Sequence, residues 1–326
     1  MLLSGKTALE FWLKLRHKFP LAENASLISP NNFNDRKIKN FLFRNPELTP
    51  SYEFITDRRR NSTSSLTYHY NKRFNTIPCV QIVEGVLVIT PVYLLVNLMK
   101  GLAEKFFPSL LVACEFSSSF TRGNEFAFSD GGSSDDLLRC KPLLTKTDFT
   151  QIERATKTSR DLKFVKNIAN YVIENAYSPA EIALALRLSL DRSHGGFGLP
   201  KPLLNSALPL KKPNRAMRAR QVRPDLLWPK QKVIFEYDGT NYHSAEEHMQ
   251  QDSGKRNVLI SEGFYVMNVT KDQLFNEQKL EHLAEFLRKA CRERKASRNY
   301  LSPDQLFARE VLRRVIVDYV VKGRIL

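Results

Sequence analysis

The chain has 326 residues and an ordinary apolar content, which together predict two domains with sizeable cores. Its formal net charge of +16 and its pI near 9.7 favour a polyanionic partner such as nucleic acid, without fixing a fold. The four cysteines are scattered, which excludes a paired zinc motif or a disulfide framework and fits a reducing cytoplasm.

The first residues lack a signal-peptide pattern, and the most apolar run, 86–99, is too short to span a bilayer. We therefore expect a cytoplasmic protein that has no membrane partner.

Residues 1–146 are predicted to form a small α+β domain with a regulatory or DNA-binding role. Thr90 followed by Pro91 is typical of a helix N-cap and first helical residue. The predicted elements are helices at 7–19, 33–43, 106–116 and from Pro91 onward, a strand at 52–56, and a hairpin of strands at 80–83 and 86–89.

Two short segments of this domain combine basic and aromatic residues. Arg58-Arg-Arg-Asn61 is followed by Tyr68-His-Tyr-Asn-Lys-Arg73. Such a mixture suits base stacking and phosphate neutralisation. A solvated loop is an equally good interpretation.

Residues 147–275 are predicted to form the second domain, and helices over 276–326 pack on it. Two helices lead in over 147–177, a helix covers 245–261, and a strand follows over 264–270. This strand–helix–strand crossover should be right-handed. The segment 211–220 contains no acid and is predicted to grip a nucleic-acid backbone, unless it is a solvated loop, through Lys211, Lys212, Arg215, Arg218 and Arg220.

Asp225 and Glu236 are predicted to lie side by side on a hairpin. If its turn is centred on 230–231, Phe235 faces Leu226 and Glu236 faces Asp225. One strand face is then apolar, and the other carries the two acids. Two carboxylates so close repel each other unless a cation lies between them, which indicates a divalent metal site.

Two further acids have alternative interpretations. Glu181 lies in Ser178-Pro-Ala-Glu181, the pattern of a capping box, and is therefore either a helix cap or a member of the acidic site. Asp238 falls opposite Arg223 in the same register, which predicts either a cross-strand ion pair or a catalytic acid.

Several of these stretches together resemble the PD-(D/E)XK, or restriction-endonuclease-like, superfamily, and within it the branch similar to very-short-patch-repair (Vsr) endonucleases. The N-terminal part resembles more faintly the region preceding this domain in such proteins, some of which are similar to AbiEi-type antitoxins. The matching stretches cover about a third of the chain and are 178–181, 198–202, 223–228, 235–243, 252–259 and 263–270.

The resemblance implies a mixed central sheet flanked by helices and a Mg²⁺- or Mn²⁺-dependent endonuclease acting on DNA. Asp225, Glu236 and Glu181 would hold the metal. The motif lysine is replaced by Asp238, so His243 or Lys255 would move protons.

Two other hypotheses remain open. The basic charge and the missing lysine also suit a non-catalytic nucleic-acid-binding regulator, antitoxin-like, on a degenerate nuclease fold. An interaction module for an unknown protein partner is the third hypothesis.

Overall fold

The computed structural model describes residues 1–19, 30, 33–99, 106–122, 138–155, 159–214, 219–238, 255–291 and 301–325. Helices and mixed sheets are both present, so the predicted α+β class is confirmed. The chain divides into two compact units, the first built mainly from residues up to Asn170 and the second from Tyr171 onward. Among the helices that the structure describes, none combines the length and the apolar character needed to cross a bilayer.

The first unit contains a five-stranded mixed sheet. Its strands are β1 (Leu2–Leu3), β2 (Tyr52–Thr56), β3 (Leu66–Tyr70), β4 (Cys79–Val83) and β5 (Val86–Ile89). They are ordered β3-β2-β1-β5-β4, with β4 and β5 antiparallel as the predicted hairpin requires and β2 parallel to β3. A separate short pair is formed by β6 (Phe120–Thr121) and β7 (Leu138–Arg139).

One helix of the first unit begins where its capping residues predict. The Thr90 hydroxyl accepts a hydrogen bond from the Tyr93 amide at 3.3 Å, and Pro91 starts the helix, which confirms the predicted cap. The first predicted helix is divided, because a π-helical turn over Phe11–Leu15 and a 3₁₀ turn follow its first part. The helices are α1 (Gly5–Glu10), α2 (Asp35–Arg44), α3 (Pro91–Met99), α4 (Phe106–Phe116), α5 (Lys146–Ala155) and α6 (Ser159–Tyr171).

The second unit is centred on a four-stranded mixed sheet. The strands of the whole unit are β8 (Leu203–Leu204), β9 (Leu208–Asn214), β10 (Ala219–Val222), β11 (Leu226–Trp228), β12 (Val233–Asp238) and β13 (Tyr265–Thr270). The central sheet is ordered β13-β12-β11-β8, and β9 with β10 forms a separate antiparallel ribbon. The helices are α7 (Pro179–Ser189), α8 (255–261), α9 (Lys271–Phe275), α10 (Glu277–Ala290) and α11 (Pro303–Val320).

The predicted division of this sheet into an apolar and a polar face is wrong. Leu227 and Ile234 lie on the face expected to be polar, yet they are 3% and 0% exposed. They pack with residues of β10, α8 and β13, namely Val222, Leu259 and Val266. Sheets that are covered on both faces carry continuous apolar runs instead of alternating ones, so the acids lie at the ends of buried strands.

Replacing Ile234 with valine should lower the free energy of unfolding by about 1 kcal/mol, because a buried methyl group leaves a small cavity. The matched control is Ile260→Val in α8, where the side chain is 50% exposed and the change should cost much less. Urea unfolding followed by circular dichroism measures both, and equal effects would contradict the two-faced burial.

A candidate carboxylate site

The start of α7 holds Glu181 in a fixed position. The Ser178 hydroxyl accepts from the Glu181 amide at 3.2 Å, and Pro179 occupies the first turn, which confirms the predicted cap. The Glu181 side chain is 6% exposed. Its Oε1 accepts from the Ser178 hydroxyl at 2.9 Å, and its Oε2 accepts from the Tyr177 amide at 3.0 Å, one residue earlier than in a regular capping box. Glu181 is therefore both a cap and a buried acid.

The hairpin of β11 and β12 has the predicted register. Leu226 pairs with Phe235 and Trp228 with Val233, as symmetry about the turn requires. Asp225 immediately precedes β11, and its Oδ2 accepts from the Tyr237 amide at 2.7 Å. Its carboxylate therefore lies against the segment of β12 that carries Glu236.

Asn205, which follows β8, connects the two regions and was not predicted. Its Nδ2 donates to Glu181 Oε2 at 2.6 Å, and its amide donates to the Asp225 carbonyl at 3.1 Å. Its carbonyl accepts from Arg223 Nη1 at 3.1 Å. The backbone has φ 46°, a left-handed conformation that asparagine tolerates better than most residues. The sequence around it carries no signal for this role, because the contacts join distant segments.

Lys255, the first described residue of α8, forms an ion pair with Glu236. Its Nζ lies 2.9 Å from Glu236 Oε1 and 3.0 Å from Oε2. The same ammonium donates to the Arg223 carbonyl at 3.3 Å. The residue predicted to substitute for the missing lysine is thus beside one of the predicted metal ligands.

The charge of Asp225 acts on both of the other acids. Burial and then the charge of Asp225 raise the pKa of Glu181 to about 7, while its hydrogen bonds oppose the shift. Burial and then the charge of Asp225 likewise raise the pKa of Glu236 to about 7, against the opposing effect of Lys255. The surroundings of the three acids therefore do not fully neutralise their negative charge.

Asp238 differs from the other three acids, which are buried or half-buried. It is exposed at the end of β12 and stands beside Thr270 of β13 in the parallel register. Burial, and then the charge of Asp238, raise the pKa of Tyr237 to about 12. The paired β11–β12 ladder ends at Leu226, so it does not extend to the predicted pairing of Asp238 with Arg223.

The described residues of the basic segment, 211–214 and 219–220, belong to an antiparallel β-ribbon. Lys211 and Lys212 belong to β9, and Arg220 of β10 is exposed. Arg215 and Arg218, together with His243, lie outside the described residues.

The residue types of the carboxylate cluster fit a hard divalent cation, which prefers oxygen ligands. Glu236 Oε1 is buried and accepts no hydrogen bond, although Lys255 is close by. Across the described ranges, however, no three acids, histidines or cysteines form a group that could hold a metal ion as they stand.

No protein-family model matches the chain, and no curated protein or solved structure is significantly similar to it.

Proposed function

We propose that the second unit is a metal-dependent endonuclease that hydrolyses phosphodiester bonds of DNA. The observation that carries this proposal is the cluster of Glu181, Asp225 and Glu236, whose carboxylates come from three different segments. The charge of Asp225 raises the proton affinity of both glutamates. Removing an acid from water costs folding free energy, and acids whose pKa is perturbed concentrate at functional sites.

Three further features support the proposal. The mixed sheet and the β12–α8–β13 connection agree with the fold that the resemblance implies. Lys255 supplies the positive charge that the sequence lacks at position 238. The net charge of +16 suits a nucleic-acid substrate.

The three acids would hold Mg²⁺ or Mn²⁺. The bound ion would lower the pKa of a water and stabilise negative charge on the phosphate. Asp225 is oriented by the Tyr237 amide, and Glu181 by Asn205. Lys255 orients Glu236 and offers an ammonium proton beside the substrate. His243 keeps the proton-transfer role that the resemblance implies.

A second candidate function is non-catalytic nucleic-acid binding. One observation favours it: among the described residues no group of three side chains could hold a metal ion as it stands, and Lys255 is already paired with Glu236. Metal binding therefore requires these side chains to rearrange. A regulator would instead bind DNA in a salt-sensitive way without a divalent ion.

Calorimetric titration with Mg²⁺ and Mn²⁺ separates these candidates. We expect the wild type to bind the ions and Glu236→Gln to bind them at least about tenfold more weakly, because the substitution removes a ligand charge. The matched control is Glu281→Gln, an exposed acid of α10, which should bind like the wild type. Absence of metal uptake by the wild type, together with plasmid DNA that stays intact in Mg²⁺, would reject the endonuclease in favour of the regulator.

A further inference from the structure

The outer edge of the first unit's sheet is a surface that the proposed nuclease does not use. Strand β3 ends the sheet, and the connection over 57–65 returns along it, since the Tyr68 amide donates to the Ser62 hydroxyl at 3.0 Å. All residues of that connection are exposed. The loop is thereby held beside the strand, with its side chains in solvent.

Two tyrosines of β3 point to the same face of the sheet. Tyr68 and Tyr70 are two residues apart, and successive side chains of a strand alternate between faces. Phe54, which is buried and lies opposite Tyr68, stacks on it with ring centroids 5.7 Å apart. Tyr70 is 44% exposed. The inner ring is therefore fixed by the core, and the outer ring is available to a ligand.

The returning loop brings guanidinium groups over these rings. Arg59 lies 5.8 Å from the centroid of Tyr70, and Arg60 lies 5.8 Å from that of Tyr68. Arg60 is paired with Asp35 at 2.9 Å, and is therefore partly neutralised. These contacts leave Arg59 as the cation beside the exposed ring.

Other cations of this edge are not neutralised by acids. Among the described residues, no carboxylate lies within 4.0 Å of Arg59, Lys72 or Arg73, and the only acid within that distance of Arg58 is Asp57, at 3.9 Å. All four cations are exposed. We call this surface the tyrosine edge; it comprises Arg58, Arg59, Tyr68, Tyr70, Lys72 and Arg73.

We propose that the tyrosine edge binds single-stranded nucleic acid. Its cations would contact successive phosphates, and an unpaired base would stack on Tyr70. A duplex conceals its base faces in its own stack, so it would gain only the phosphate contacts. An acidic peptide would form ion pairs with these cations, but its acidic side chains offer no planar ring to stack on Tyr70.

This binding does not depend on the proposed cleavage, because its residues lie in the other unit and it involves no divalent ion. The test is fluorescence anisotropy with labelled oligothymidine and oligouridine of about 16 nucleotides, and a duplex of equal length, in EDTA. We expect the 326-residue chain to bind at least one single strand more tightly than the duplex. The two oligomers distinguish DNA from RNA. If the duplex binds as tightly as both single-stranded oligomers, the assignment is overturned.

Stacking is tested at Tyr70. We expect Tyr70→Ala to bind the preferred strand roughly 5- to 150-fold more weakly, and Tyr70→Phe, which keeps the ring, to stay within about twofold of the wild type. The control is Phe43→Ala, since Phe43 is an 89% exposed aromatic outside the tyrosine edge in the same unit. Equal affinities of Tyr70→Ala and Phe43→Ala would contradict stacking on this edge.

The phosphate contacts are tested by removing Arg59 and Lys72 together. The Arg59→Ser/Lys72→Ser variant should bind about tenfold more weakly, and its salt dependence, as the slope of log affinity against log salt, should fall by about 1.4. Lys163→Ser/Lys166→Ser removes the same charge from exposed positions of α6. If both double variants lose affinity equally, binding follows net charge alone and the tyrosine edge is not the site.

Discussion

Plasmid DNA in Mg²⁺ should be cleaved at least about 100-fold more slowly by the Asp225→Asn and Asp225→Ala variants than by the wild type. Residues that only hydrogen-bond to a metal ligand contribute about 10- to 100-fold to metal affinity or activity. Removing the charge of a ligand itself should therefore reduce activity at least as much. Asparagine keeps an oxygen for the Tyr237 amide, which now donates to Asp225 Oδ2 at 2.7 Å, and therefore removes the charge with little change in the hairpin.

The control for this loss is Glu281→Gln, which changes charge by the same amount on an exposed face of α10. Circular dichroism before and after heating establishes that each variant folds. Cleavage by Asp225→Asn at the wild-type rate would remove the acid cluster from the mechanism, whatever the metal affinity. The tyrosine edge would be unaffected, because its binding is measured in EDTA.

Glu181→Gln should make the protein more stable than the wild type at pH 8 and leave it similar at pH 4.5. The pKa of Glu181 is raised from 4.5 to about 7 in the folded chain, so folding favours its protonated form. Stability is then highest below pH 4.5 and falls as the pH rises through about 7. We expect a difference on the order of 1–3 kcal/mol at pH 8, because the shift that burial and the charge of Asp225 produce is lost with the carboxylate.

Urea unfolding at pH 4.5, 6 and 8 measures this difference. The side-chain amide that replaces the Glu181 carboxylate can still pair with Ser178 and Asn205, so lost capping should not dominate. Glu281→Gln should follow the wild-type pH dependence. An identical dependence in Glu181→Gln would mean that the buried acid does not destabilise the fold. If Glu181 also holds the metal, the stabilised variant should lose cleavage, as happens when strain at a site serves function.

Local chemistry made part of the site predictable. Ser178 and Pro179 determine where α7 begins, and the symmetric turn determines the register that brings Asp225 to β12. Both depend on a few neighbouring residues, and both were confirmed. The roles of the acids in metal binding and catalysis stay predictions.

The remainder depends on contacts that no local pattern contains. Alternation predicts one apolar and one acidic face of the hairpin, because it is typical of a half-exposed sheet. Residues of β10, α8 and β13 instead cover Leu227 and Ile234 on the second face. Asn205 gave no signal at all, since its hydrogen bonds reach residues between 18 and 30 positions away. The pairing of Lys255 with Glu236 spans 19 positions and needed the folded chain to be seen.

Asn205 has a consequence for how the chain tolerates changes of length. Its side chain donates hydrogen bonds to the Asn175 carbonyl and to Glu181, and its backbone amide donates to the Asp225 carbonyl. A residue inserted in the connection between α7 and β8 can be absorbed before Asn205, without disturbing either acid. One inserted directly after Asn205 changes the spacing from there to Asp225, and so pulls the helix-borne and sheet-borne carboxylates out of alignment. Homologous chains that keep the site should therefore vary in length before this asparagine and not directly after it.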